Sequence, residues 1–520
     1  MQRLLILLLL YHLPKFAWCT GNSAPIASTT SGLVRGASVS GVAHFLGIPY
    51  GADTAPRRFR APVPPTSWQG VRDALTFGPT APQPSERKGI SDTDDRSEDC
   101  LRLNVWTRGL ADSRKRPVLV YFHGGAYSSG SVNEALYDGT RLCLRGDVVV
   151  VTVNHRLNGF GYLYLPELAG PEFAESGNAG MLDLILALTW VRNNITAFGG
   201  DPGCVTIFGQ SGGGAKCATL MAMPAARGLF HRVWTMSGQQ LTGRTRAHAT
   251  QATREVLAAL GLTPEHVAEI ATQPRERLIA AMKGVNWTPV VDGDLLPRDP
   301  FSPDASPLNA DIPMVLGNTL DETRGLIGAR DPSTFLLSWE ELPEKLAQNI
   351  RPFIGDLTPV DIVSKYKSLY PALSPSEVFF AATTAARSWK GMVLESEARA
   401  RQGTGPTYVY NLTWRSPADN GRWGAPHTLD IPLVFDNVAK AVAQTGGGTD
   451  AQRMADLMSD ALLAFARSGN PETSALPKWP RFETTHRPTL LFELPPKLAE
   501  DPRGEERKFF ASAPYIQPGT

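Results

Sequence analysis

The sequence predicts an α/β fold with one mixed, mostly parallel central sheet and helices on both faces. Three observations carry that reading. Short continuous apolar runs at 117–122, 147–153, 205–208, 233–236 and 312–316 suit strands buried on both sides. Between them lies helical spacing, as in Met181, Leu184, Ile185, Leu188 and Val191, and this alternation is the signature of helices packed on a sheet. Finally, the run V-T-I-F-G-Q-S-G-G-G at 205–214 passes from a strand through a glycine-flanked serine into a helix starting Ala215-Lys216-Cys217.

In chain order, residues 1–19 read as a secretory signal. Arg3 is followed by an apolar stretch at 4–10 and then by Ala17, Cys19 and Thr20. That stretch is too short to span a bilayer. The expectation is an exported protein, secreted, periplasmic or extracellular, with no membrane span. Length alone suggests about three domains. The motifs instead spread across most of the chain and need a single sheet, so residues 20–520 are expected to form one domain. Charged residues make up 19% of the chain and hydrophobic residues 42%, an ordinary globular balance. The formal net charge is +1 with no basic stripe, so nucleic acid and acidic membrane surfaces are excluded as partners. Of five cysteines, Cys19 leaves with the signal. Cys100, Cys143, Cys204 and Cys217 remain, enough for up to two disulfides in an exported protein, with buried free thiols the favoured reading. No C-x-x-C pair is present for zinc or redox chemistry.

Short strands near 32–36 and 42–48 make an antiparallel start. A Pro- and Arg-rich loop occupies 55–65, a polar surface loop 84–99, and an alternating strand 101–106. After the parallel strands come two more, at 408–412 and 490–494. A helix at 451–467 carries Met454, Leu457, Met458, Ala461, Leu462 and Phe465 on one face and stops at Gly469-Asn470-Pro471. Residues 245–285 and 331–400 are helix-rich and suit excursions that wall a pocket over one end of the sheet. Gly446-Gly447-Gly448 lacks the residues of a phosphate cradle and reads as a flexible loop.

The glycine-flanked serine is the chemical centre. Gly209 and Gly213 leave room for a sharp turn that holds Ser211 strained and exposed, at a helix start whose free N–H groups face the same spot. Ser211 is therefore the candidate acylated nucleophile. A serine hydroxyl needs a histidine base oriented by a carboxylate. Behind a nucleophile elbow the chain order is Ser, acid, His. The loop after 312–316 supplies Asp321 and Glu322, and only His427 and His486 lie beyond it. His427 sits in a glycine- and proline-containing loop after a strand and is preferred over His486. The strand 117–122 runs into His123-Gly124-Gly125-Ala126-Tyr127. Its small residues suit backbone donors to an oxyanion, which would join the N–H of Gly212.

With these blocks the chain resembles the type-B carboxylesterases, the cholinesterases among them, of the α/β-hydrolase fold. Further matching blocks are F-L-G-I-P-Y at 45–50, S-E-D-C-L-R-L-N-V at 97–105 and F-G-G-D-P at 198–202. The resemblance implies Ser211 as nucleophile, Glu322 as triad acid, His427 as base, and Gly125, Ala126 and Gly212 as oxyanion donors. It makes Asp321 structural and gives Ser237 a role supporting the histidine, with a simple turn role as the alternative. It implies a small-molecule ester as substrate, no metal and no cofactor, with the helical excursions lying over the active site.

Three departures follow. Alanine stands at Ala81, where many relatives carry the cysteine that pairs with the counterpart of Cys100. No tryptophan occurs in 84–99 to hold a choline cation. The elbow reads Gly-Gln-Ser-Gly-Gly in place of the commoner Gly-Glu-Ser-Ala-Gly. Lys216 has two readings, a charge for a substrate carboxylate or a structural lysine paired with a buried acid, and the second is favoured. Sequons occur at Asn194, Asn286 and Asn411, the first and last within or beside regular elements. Two rival functions fit the same fold: a catalytically silent adhesion or binding protein, and a hydrolase of amides, thioesters or lactones. Oligomeric state is not readable in the residues.

Overall fold

Eleven strands build the central sheet of the computed structural model, which describes residues 24–84 and 95–517. The predicted signal, Cys19 and most of the 84–99 loop lie outside the described residues. The strands are numbered here in chain order: β1 (Ala37–Val39), β2 (Val42–Pro49), β3 (Arg102–Thr107), β4 (Arg116–Phe122), β5 (Val149–Val153), β6 (Gly200–Gln210), β7 (Arg232–Met236), β8 (Met314–Thr319), β9 (Thr407–Leu412), β10 (Pro488–Phe492) and β11 (Lys497–Glu500). Their spatial order is β11-β10-β9-β8-β7-β6-β4-β5-β3-β2-β1. From β10 through β5 neighbouring strands run parallel. The pairs at both edges are antiparallel. A small separate sheet joins Ile26–Thr29, Gly32–Arg35 and Val71–Asp73.

Successive strand residues point to opposite faces, so each apolar run feeds two cores. In β4, Val118, Val120 and Phe122 pack on one face with Met181, Leu184 and Leu188 of α1 (Ala179–Asn194) and Ala215 of α2 (Gly212–Leu220). Leu119 and Tyr121 pack on the other with Met454, Met458 and Leu462 of α3 (Gly448–Ser468). Gly469, in the left-handed region at φ 76°, ends α3 at the position where glycine pays no Cβ penalty.

Two strands depart from the sequence expectation in ways that matter for the site. Asp147 does not start a strand; it caps the helix Thr140–Gly146 in the left-handed region, so β5 begins at Val149. β8 starts two residues later than expected and continues to Thr319, where polar Asn318 and Thr319 were read as loop. Backbone pairing with Asn411 and Leu412 carries it on, and Asn318 is satisfied inside by the Gln239 amide at 2.9 Å. The antiparallel edge strand β11 carries no strong apolar signal and was not anticipated.

Residues 342–386 form helices around their own apolar cluster, which includes Phe510. Its last helix opens on S-P-S-E, a capping box in which the Ser374 hydroxyl accepts from Glu377 N–H and the Glu377 carboxylate accepts from Ser374 N–H at 2.8 Å. That helix, Pro375–Thr384, passes through a π-helical turn at Ala385–Trp389 into Lys390–Gln402. A second π-helical turn, Arg324–Gly328, follows β8. No helix among the described residues is long and apolar enough to cross a membrane.

All four cysteines among the described residues are free, so the disulfides allowed by the count do not form. Cys100, Cys143 and Cys217 are buried, and Cys204 is half-buried. Of the three sequons, Asn194 and Asn411 are buried and hydrogen-bonded, with Asn194 donating to Trp190 O at 2.8 Å. Only Asn286 is exposed.

Candidate active site

Five strands adjacent in space, β4-β6-β7-β8-β9, each deliver one part of the site from their C-terminal ends, the end at which parallel sheets present ligands. The loop His123–Tyr127 leaves β4, Ser211 leaves β6, Ser237 leaves β7, Glu322 follows β8, and His427 lies in the loop after β9.

At the elbow, Ser211 has φ 56° and ψ −127°, a conformation that L-residues avoid without support. Support comes from its N–H, which donates to Met236 O at 2.7 Å, and from its carbonyl, which accepts from Ala215 N–H at 3.0 Å. The turn is crowded on every side. A Cβ on Gly213 would run into the Phe122 carbonyl, and one on Gly209 would sit 2.8 Å from the same oxygen. Glycine at both positions is thus a steric requirement of packing the elbow against β4.

Glu322 is fully buried and accepts on both oxygens. Its Oε2 lies 2.5 Å from His427 Nδ1. Its Oε1 accepts from Ser237 Oγ at 2.5 Å, Asn318 Nδ2 at 3.1 Å and Thr319 N–H at 2.8 Å. Burial favours the protonated acid, but the histidine and these donors together outweigh it and hold the carboxyl below its ordinary range. A carboxylate on Nδ1 leaves the Nε2 lone pair free to take a proton. Ser237 therefore touches the acid and not the histidine, acting on the imidazole through Glu322.

Asp321, the other candidate acid, faces away from the histidine. Its N–H donates to Ala425 O at 2.9 Å and its Oδ2 accepts from Ala425 N–H at 3.0 Å, which ties the acid loop to the loop carrying His427. Arg324 and Arg415 lie beside it. His486, the other candidate base, is exposed and pairs with Glu483 at 2.8 Å. Next to Ser211, the Gln210 amide nitrogen lies 3.2 Å from Nε2 and 3.4 Å from Nδ1 of His427. Near-equal distances to both ring nitrogens put the amide over the ring face, out of line with either lone pair.

The glycine loop after β4 is held from behind. The His123 ring stacks on His155 at 4.8 Å. Lys216 is fully buried and donates to the His123 carbonyl at 3.0 Å. Gln83 bonds Gly130 through both its amide atoms. Lys216 thus steadies the loop from within the core and is not among the residues lining either cavity. Gly125 and Ala126 have φ 92° and 51°. The N–H groups of Gly125, Ala126 and Gly212 point to no acceptor among the described residues.

Two cavities meet at Ser211. One, of about 130 Å³, extends past Gly212, Gly238, Gln239 and Gln240. The other, of about 680 Å³, extends past Gly124, Gly125 and Ile431. Ser211, His427, Ala126, Leu326 and Arg387 line both. Arg387 and Leu326 both come from the π-helical turns. Arg387 escaped the sequence reading. The available signal was an arginine placed within the otherwise apolar and small run 378–389.

An elbow serine after one parallel strand, an acid after the second strand over and a histidine after the third define an α/β-hydrolase. The solved carboxylesterase of Geobacillus stearothermophilus shares this fold with a TM-score of 0.82 and 35% identity, over 93% of this chain and 99% of that one. The chain belongs to the Carboxylesterase family, which it matches over residues 23–510. Among curated relatives it is 33% identical to the para-nitrobenzyl esterase of Bacillus subtilis, over 94% of this chain and 99% of that protein. It is 32% identical to the phenmedipham hydrolase of Pseudarthrobacter oxydans, over 90% and 94% respectively. The chain is accordingly a carboxylic ester hydrolase of the serine type.

Proposed function

We propose that Ser211, His427 and Glu322 carry out ester hydrolysis on small-molecule carboxylic esters through an acyl-enzyme. His427 Nε2 takes the Ser211 proton as the hydroxyl attacks the ester carbonyl. Glu322 holds the imidazole tautomer and stabilises the imidazolium. The N–H groups of Gly125, Ala126 and Gly212 hold the tetrahedral oxyanion. The alcohol departs with the proton from His427, and a water activated by the same histidine releases the acid. The observation that carries this reading is the 2.5 Å contact of His427 Nδ1 with Glu322 Oε2 on the wall that also holds Ser211.

Mass spectrometry after treatment with an organophosphonate tests it. One adduct on Ser211 is expected, and Ser211→Ala is expected to lower turnover on the order of 10⁴-fold. A chain that takes no label and turns over no ester would be a silent binding member of the fold. Faster turnover of matched amides, thioesters or lactones would move the reaction class.

The same proposal includes residues 1–19 as a cleaved export signal and 20–520 as the mature single domain, supported by Arg3 and the apolar stretch behind it. The N-terminal residue of protein recovered outside the producing cell decides this point. A start at Met1 would end the idea.

A further inference from the structure

We infer that Arg387 is a specificity-determining residue that recognises a carboxylate on the substrate, so that the preferred esters carry a negative charge near the scissile bond. This inference rests on the reading of Ser211 as nucleophile. The first support is position. Arg387 lines both cavities that meet at Ser211, so a substrate occupying either one passes its guanidinium. The second is the absence of a protein counter-ion. Arg387 is half-buried, and among the described residues it makes no hydrogen bond and no ion pair. The acid that acts on it most is Glu322, whose oxygens are already taken by His427, Ser237, Asn318 and Thr319. A partly desolvated cation without a partner is a costly arrangement that an anionic ligand relieves.

The surroundings add to this. Burial depresses the Arg387 pKa, Glu322 opposes that, and the neighbouring Arg330 depresses it further. Arg330, exposed on the wall of the wide cavity, brings a second positive charge, and among the described residues the carboxylate on that wall is Glu134. In the narrow cavity the other polar side chains among the described residues are amides, hydroxyls and the His427 ring. Gln239, Gln240 and Gln517 contribute amides, and Arg387 brings a guanidinium. The local backbone explains how the arginine reaches the site. It sits in the π-helical turn Ala385–Trp389, where the extra residue in the turn re-aims side chains relative to the α-helix on either side. Guanidinium presents a planar fork that matches a carboxylate with two parallel hydrogen bonds.

Two matched ester pairs test the inference and separate the two places the charge can sit. Monoethyl glutarate against ethyl pentanoate puts it on the acyl side, and 4-acetoxybutanoate against butyl acetate puts it on the alcohol side. In the unaltered enzyme kcat/KM is expected to favour the anionic member of at least one pair. Arg387→Met is expected to lower that anionic-to-neutral ratio on the order of ten- to a hundredfold, with Arg387→Lys restoring part of it. Inhibition of the unaltered enzyme by glutarate set against neutral glutaramide reads the same preference without any variant. Glutarate is expected to inhibit more strongly. A ratio that Arg387→Met leaves unchanged, or equal inhibition by the two compounds, overturns the assignment of Arg387 while leaving the esterase reading intact. An unaltered enzyme that turns over none of the four esters and takes no organophosphonate overturns the esterase reading, and this inference with it.

Discussion

Glu322, the proposed triad acid, is the residue whose surroundings say most about the chemistry. Glu322 is buried yet held ionised, because four donors converge on its two oxygens. Replacing it with glutamine keeps the shape but presents an amide to Nδ1, which disfavours the tautomer that accepts a proton at Nε2. Glu322→Gln is expected to lower kcat on the order of 10⁴-fold with little change in KM. Ser237→Ala removes one donor of three on Oε1, so a loss of about tenfold is expected. Steady-state kinetics on a neutral ester checks both, and equal losses in the two variants would show that the order of importance assigned here is wrong. Lys216 and Arg387 make a second contrast at this scale. Both are cations near the site. One is buried and donates to the His123 carbonyl behind the glycine loop, and the other faces the cavity.

At the scale of elements, the elbow works because β6, α2 and β4 approach more closely than side chains allow. Gly213→Ala would drive a Cβ into the Phe122 carbonyl, at a place where neither backbone can yield without moving the strand. A loss of several kcal/mol of stability is expected, read as a lowered Tm or as failure to accumulate folded protein. A melting curve matching that of the unaltered protein would refute the close-approach account. The two π-helical turns form a pair of another kind. One joins the helices Pro375–Thr384 and Lys390–Gln402, the other follows β8, and each contributes one of the residues lining both chambers.

For the whole molecule, two buried carboxyls set a pH dependence of stability. Burial pushes Glu395 up to about 8 and Asp430 up to about 7. In the unfolded chain such groups release their protons near pH 4. Between about pH 4 and these values the folded state holds more protons than the unfolded state, so stability falls as pH rises through that window. Glu395→Gln removes the larger contribution, since its amide does not titrate and can still accept from Gln240 N–H. Urea unfolding at pH 5, 6.5 and 8 should give a flatter decline for the variant. Parallel declines would mean that Glu395 is already ionised in the folded protein. The sheet also explains why the site is cooperative with the fold: its parts come from five neighbouring strands, and no single segment can assemble it alone.

The sequence by itself determined the strands with continuous apolar runs, the strand–turn–helix around Ser211, the glycines that make the turn possible, and the choice of Glu322 and His427 once chain order and resemblance were combined. These are signals of short range: side-chain period, glycine spacing, and the order in which chemical groups appear. Only the tertiary structure decided that the thiols stay free, that Ser237 supports the acid and not the base, that Lys216 turns into the core, and that Arg387 turns into the cavity. The reason is that each of these depends on which strands lie side by side and on how a helix is wound far along the chain. Burial, pairing and the aim of a side chain are set there by contacts between residues far apart in the chain, 85 for Ser237 with Glu322 and 93 for Lys216 with His123, and no local pattern encodes them.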